Sequence, residues 1–372
     1  MYFVYASNVW TNGWQYRMEG DVGLVNVAYD GTLVNSGTLA KTAGNGVSNI
    51  SGLNFTNNGG RIDVQSGTLQ FNGNLAFNDG TRFTGAGTVQ VLGSATFSGR
   101  VDAANLVLGN ATYTGGDGSS AGATSQATLH GSTRWTGGSL VGNWELGADH
   151  ALTAEVGGTK YIGGSVINHG VVNASDNLYF VYASQVLGNR GTLNLQGDVG
   201  LLNAAYGGTV INSGVINKTT GSGETSLAGI SLANTGTINV QSGTLRLPAN
   251  FSNEGVLTGT GTLAATQIVN LGRIAPGASS GALSGTLTLA SQLVLGATGA
   301  LSGSFAQVTL VGFGSGAFDV VYDRLHSDVL LHITQDVSAV PEPEGYALWL
   351  SGLAGLGLWL RRRGHAVGCI KG

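Results

Sequence analysis

Apolar and polar residues alternate along most of this chain with a period of two. Gly236-Thr237-Ile238-Asn239-Val240 shows the pattern, and so does the run Val64-Gln65-Ser66-Gly67-Thr68-Leu69. Such alternation predicts β-strands with one buried face. A second pattern, Asn-x-Gly-x-apolar, punctuates the strands. It starts at Asn35, Asn58, Asn168, Asn189, Asn212, Asn234, Asn253 and Asn270, and the last six starts are 21, 23, 22, 19 and 17 residues apart. Asn and Gly tolerate the left-handed or tight backbone conformations of turns. A turn-plus-strand unit recurring at about this spacing predicts a β-solenoid. One coil cannot bury its own apolar face, whereas stacked coils share one core. Ile211, Ile216, Ile238 and Val240 are expected to line it.

A longer repeat runs over the short one. Tyr2-Phe3-Val4-Tyr5-Ala6-Ser7 recurs from Tyr179 to Ser184, and Gly20-Asp21-Val22-Gly23-Leu24 recurs from Gly197 to Leu201, both 177 residues on. Met1 falls opposite Leu178, in mid-repeat, so further coils and a cleavable signal peptide are expected upstream. The expected organisation is a first long repeat over 1–177, a second repeat and cap over 178–335, an extended linker over 336–344, and an apolar tail over 345–372. The stretch Arg100 to Thr159 departs from the short period, with an exposed loop expected over Thr114 to Gly122. Beyond Asn270, the strand candidates Leu283–Leu289, Gln307–Val311 and Leu325–Ile333 would cap the solenoid with a small antiparallel patch.

The tail is built differently. Val340-Pro341-Glu342-Pro343-Glu344 precedes an uncharged, mostly apolar run from Gly345 to Leu360, and Arg361, Arg362 and Arg363 follow. As a helix, sixteen residues at ~1.5 Å each span roughly 24 Å, somewhat short of a ~30 Å hydrocarbon core. Tyr346, Trp349 and Trp359 lie near its ends, where amphipathic rings sit at lipid headgroups. The arginines snorkel and extend the span, and their one-sided placement puts them in the cytoplasm. Pro341 and Pro343 keep the preceding segment extended. The expected fold class is therefore an all-β parallel β-helix, or β-solenoid, of two long repeats followed by one C-terminal transmembrane α-helix.

This order resembles the PEP-CTERM sorting signal of exported bacterial proteins, a motif also catalogued as an ice-binding protein C-terminal domain. The resemblance covers about 25 of 372 residues. It implies processing near Val340-Pro341-Glu342-Pro343 by an exosortase, a membrane transpeptidase. It also implies a membrane-tethered precursor, release to the cell surface or matrix, and association with exopolysaccharide. The segment Asn270-Leu271-Gly272-Arg273-Ile274-Ala275-Pro276-Gly277 resembles the repeat ends of autotransporter passengers.

Composition narrows the chemistry. Charged residues make up only 10% of the chain and the formal net charge is -4, which gives no basic footprint for nucleic acid. The single cysteine, Cys369, allows no intrachain disulfide. Gly259-Thr260-Gly261 lacks the helix and distal acid of a dinucleotide site. His326 and His332 stand too far apart along one strand to share a metal, and no cofactor is expected. Asp21 and Asp198 occupy equivalent places in the two copies and read as hydrogen-bonded turn residues without a basic partner close in sequence. The alternating Thr258, Thr260 and Thr262 would suit an ice-binding row if they shared one outward face. Function reads first as a non-enzymatic surface or matrix protein. The alternatives are a β-helix polysaccharide lyase or hydrolase, which needs clustered carboxylates or basic groups, and an adhesin or ice-binding solenoid.

Overall fold

A computed structural model describes residues 2–3, 8–27, 31–116, 126–182, 184–277, 287–296, 318–323 and 328–333. Among them there is no helix, and almost every strand pairing is parallel. The chain divides into two compact units, Met1–Ile211 with Gly229–Ser231, and Asn212–Ala228 with Leu232–Gly372. The chain is thus an all-β parallel β-solenoid.

In the first unit the strands fall in strict rotation onto three faces. Face I stacks Tyr2–Phe3, Leu24–Asn26, residues 47–51 and 68–72, Thr88–Val91 and their successors. Face II stacks Val9–Asn12, Thr32–Asn35, residues 54–57 and 74–77, and Ala95–Phe97. Face III stacks Gln15–Glu19, Thr38–Ala43, Arg61–Val64, Thr81–Thr84 and residues 99–103. Alternate side chains from all three faces meet inside. Phe71 from face I, Phe77 from face II and Phe83 from face III are buried together, with Phe77 ring centroids 5.8 Å from Phe71 and 5.2 Å from Phe83. The aromatic column continues through Phe97 to Trp144 at 5.4 Å.

The Asn-x-Gly turns have a twofold physical basis. Their asparagines point inward and bond along the stack: Asn12 Nδ2 donates to Asn35 Oδ1 at 2.7 Å, and Asn35 Nδ2 to Asn57 Oδ1 at 2.6 Å. In the second unit Asn212, Asn234, Asn253 and Asn270 form the same ladder at 2.6 Å per step. The glycines sit directly over the previous coil. A Cβ at Gly255 would lie 2.0 Å from the Gly236 carbonyl oxygen, and one at Gly272 2.0 Å from that of Gly255. Buried amides need partners and stacked backbones need glycine.

The two copies of the long repeat do not superpose face for face. Tyr2–Phe3 lies on face I, but its counterpart Leu178–Phe180 pairs with Lys160–Ile162 and continues face II through residues 138–142, Ala111–Gly115 and Ala95–Phe97. Likewise Val9–Asn12 is on face II, whereas Val186–Asn189 pairs with Ser165–Asn168, which continues face III. The second copy starts one face further round. The cause lies between them, where coils lengthen: Gly99 pairs with Ala127 and Ala111 with Gly138. Trp135 and Trp144 of this region are buried core, and the loop expected over Thr114 to Gly122 falls partly in a strand and partly outside the described residues.

The second unit keeps the parallel ladder to Thr288–Gly296 and then changes. Residues 293–296 pair antiparallel with Asp328–Ile333, which pairs antiparallel with Phe318–Asp323. An antiparallel patch was expected here, though with other strand limits; Gln307–Val311 lies outside the described residues. One core expectation is corrected. Ile216, Ile238 and Val240 are buried, but Ile211 is 48% exposed. Val210 and Asn212 take the inward positions on either side of it, and a period of two leaves Ile211 outside.

Candidate functional site

Face III of the first unit concentrates charge in a chain that has little. Gln15, Thr38, Arg61, Arg82, Asp102 and His130 are successive register partners, one per coil, so they form a single column on the outer surface. Inward alternates such as Ile62, Phe83 and Val101 anchor the same strands in the core. Asp63, Thr84 and Arg100 flank the column.

Asp63 is the fixed point. Its carboxylate accepts from Arg61 Nη2 at 2.8 Å, Thr84 Oγ1 at 2.6 Å and Gln65 Nε2 at 3.1 Å. Burial pushes the carboxyl up, but the bonds from Thr84, Gln65 and Arg61 outweigh it and hold it below the usual carboxylate value. Arg61 Nε also donates to Thr84 Oγ1 at 2.7 Å. Arg100 Nη2 lies 2.8 Å from Asp102 Oδ1, while Arg82 Nε is 3.7 Å from Asp102 Oδ2.

Next along the face, His130 Nδ1 lies 2.6 Å from Asp149 Oδ1 and its Nε2 lies 3.1 Å from Arg100 Nη1. A guanidinium only donates, so Nε2 accepts and the ring proton sits on Nδ1. The His130 bond, stronger than the opposing burial, holds Asp149 below its ordinary value. The lone pair a general base would use is thereby engaged. Glu145 pairs with His169 at 3.4 Å and accepts from Gln126.

Three lysines sit at corners with no exposed side-chain surface: Lys41, Lys160 and Lys218. Lys41 Nζ donates to Asp21 Oδ1 at 2.6 Å, Ala43 O at 3.0 Å and Gly20 O at 3.2 Å, which uses all three protons. Lys160 Nζ bonds Gly158 O at 2.8 Å and Asp176 Oδ2 at 3.2 Å. The Lys41 bond, with help from the Gly46 N–H, holds Asp21 low against a smaller burial effect. The sequence reading of Asp21 as a turn residue without a basic partner is corrected: its partner comes from the next coil. The signal was present, since Lys41 and Lys218 are 177 residues apart, as are Asp21 and Asp198. A search of the next several residues could not reach one coil away.

The threonine row is also corrected. Thr258 is buried and donates to Ala275 O at 2.6 Å, whereas Thr260 is exposed. The turn at Gly259 breaks the alternation, so the residues share no outward face. His326 and the tail residues Val340, Pro341, Glu342, Pro343, Tyr346, Trp349, Trp359, Arg361, Arg362 and Arg363 lie outside the described residues. Among the described residues no helix is long and apolar enough to cross a membrane, and no cluster of three His, Cys, Asp or Glu groups could hold a metal ion. No family model matches this chain, and neither a curated protein nor a solved structure is significantly similar to it.

Proposed function

We propose that this chain is a non-enzymatic exported protein of the cell surface or extracellular matrix, tethered by its tail and sorted by an exosortase. The observation that carries the reading is the order of the tail: Pro341-Glu342-Pro343, the run from Gly345 to Leu360, then Arg361, Arg362 and Arg363. The prolines present an extended peptide to a membrane transpeptidase, the short apolar run parks the chain in the bilayer, and the arginines stop transfer. The paired state of face III supports a binding rather than a catalytic role, because Arg100 and Asp149 engage both nitrogens of His130. The test is to tag the solenoid and express it in a host that carries an exosortase. Wild type should lose Cys369 and leave the membrane fraction, while replacement of Pro341, Glu342 and Pro343 by Ala should leave a full-mass membrane form. A wild type that keeps its full mass in the membrane would refute the processing.

One observation favours a second reading, a polysaccharide lyase or hydrolase. Asp63, Asp102, Asp149 and Glu145 share a face with Arg61, Arg82, Arg100 and His130. Release of new sugar ends from acidic polysaccharide by wild type, abolished by His130→Ala, would establish it over the first.

A further inference from the structure

The outer layer of face III is cationic, although the chain as a whole carries a formal charge of -4. The Arg61, Arg82 and Arg100 side chains are 51%, 68% and 57% exposed, whereas Asp63 beneath them is 9% exposed. Arg61 and Arg82 are register partners on adjacent coils, one strand spacing of about 4.8 Å apart. Like charges placed directly opposite destabilise a sheet unless something lies between or beside them. Asp63 compensates Arg61 at 2.8 Å, but Arg82 stands 3.7 Å from Asp102, beyond hydrogen-bond distance. The central guanidinium of the ridge therefore presents its planar fork to an outside anion.

We propose that this ridge binds an acidic polysaccharide, whose sugar carboxylates lie across Arg61, Arg82 and Arg100. A guanidinium recognises a carboxylate through paired N–H donors, and successive arginines at the coil spacing suit a polymer with regularly repeated charge. Asp149 and Glu145 bound the ridge at one end and confine it to a few coils, which is too short a basic track for nucleic acid. The proposal rests on the reading of the solenoid as lying outside the cell.

The full chain in mild detergent is run by affinity electrophoresis through gels containing polygalacturonate, dextran sulfate or neutral dextran, and in a parallel mobility assay with duplex DNA. Polygalacturonate should retard the wild type, increasingly so at low salt because exposed charges are screened. Neutral dextran should not. Arg82→Gln should weaken binding about fivefold, and the triple change of Arg61, Arg82 and Arg100 to Gln on the order of a hundredfold, at the upper value of a surface ion pair for each arginine. Arg134→Gln with Arg246→Gln, on other strands, should change nothing. The strand spectrum of the triple variant should match wild type, which separates lost binding from lost fold. Equal retardation by neutral dextran, binding that survives the triple change, or tighter binding to DNA than to polygalacturonate would each overturn the proposal; preference for dextran sulfate would reassign the ligand from carboxylate to sulfate polymer and overturn the carboxylate claim. An unprocessed tail with retained binding overturns the sorting reading alone, and a processed tail with no retardation overturns the ridge alone.

Discussion

His150 should make this solenoid acid-sensitive in a pH range where its carboxylates are silent. Its imidazole is 1% exposed and neither ring nitrogen has a hydrogen-bond partner. Burial drives its pKa down from 6.5 to about 4, and the nearby charge of Asp149 only partly opposes this. The folded state therefore keeps His150 neutral where the unfolded chain binds a proton. The resulting stability is fully present above about pH 6.5 and is lost as pH falls toward 4. The complete difference corresponds to about 3 kcal/mol, of which about 2.5 kcal/mol is gone by pH 4.5. The lowered carboxylates Asp63 and Asp176 act in the opposite window, since their contribution is lost only below the ordinary value of 3.8. Urea unfolding at pH 7.5, 6.5, 5.5 and 4.5 should be compared between wild type and His150→Phe, which keeps a ring of similar size. Fluorescence of the buried Trp135 and Trp144 reports this part of the stack. Wild type should lose about 2.5 kcal/mol more than the variant between pH 7.5 and 4.5. Equal losses in the two proteins would refute the assignment of a neutral buried imidazole.

The other predictions concern the core and its polar ladder. Asn35→Leu removes the acceptor of Asn12 and the donor to Asn57 in one step, so two buried amide groups lose partners at a cost of about 2–5 kcal/mol. A shift in urea midpoint equivalent to less than about 1 kcal/mol would show that the ladder is not energetically coupled. Ile238→Asp, at a fully buried position, should lower stability by several kcal/mol, on the order of 3–5, because an unpaired charge is buried. Ile211→Asp should stay within about 0.5 kcal/mol; similar losses at both sites would contradict the inward and outward assignment of that strand.

The local pattern of the chain determined that it is made of strands and that the strands form coils. Period-two alternation needs only near neighbours to be legible, and Asn-x-Gly turns repeat at the coil length, so Ile216, Ile238 and Val240 could be placed inside without a structure. The tail was legible for the same reason, being a contiguous order of proline, apolar and basic segments. What the tertiary structure decided is which residues meet across coils. Arg61 meets Arg82, and Asp21 meets Lys41, only because the chain returns to the same face after about twenty residues. That return length varies, and the longer coils that pair Gly99 with Ala127 carry the second copy of the repeat one face further round. Identical stretches such as Tyr2-Phe3 and Tyr179-Phe180 thus occupy different faces. Face assignment depends on the sum of all intervening coil lengths, which no local window contains. For that reason the charged column of face III became visible only when the coils were stacked.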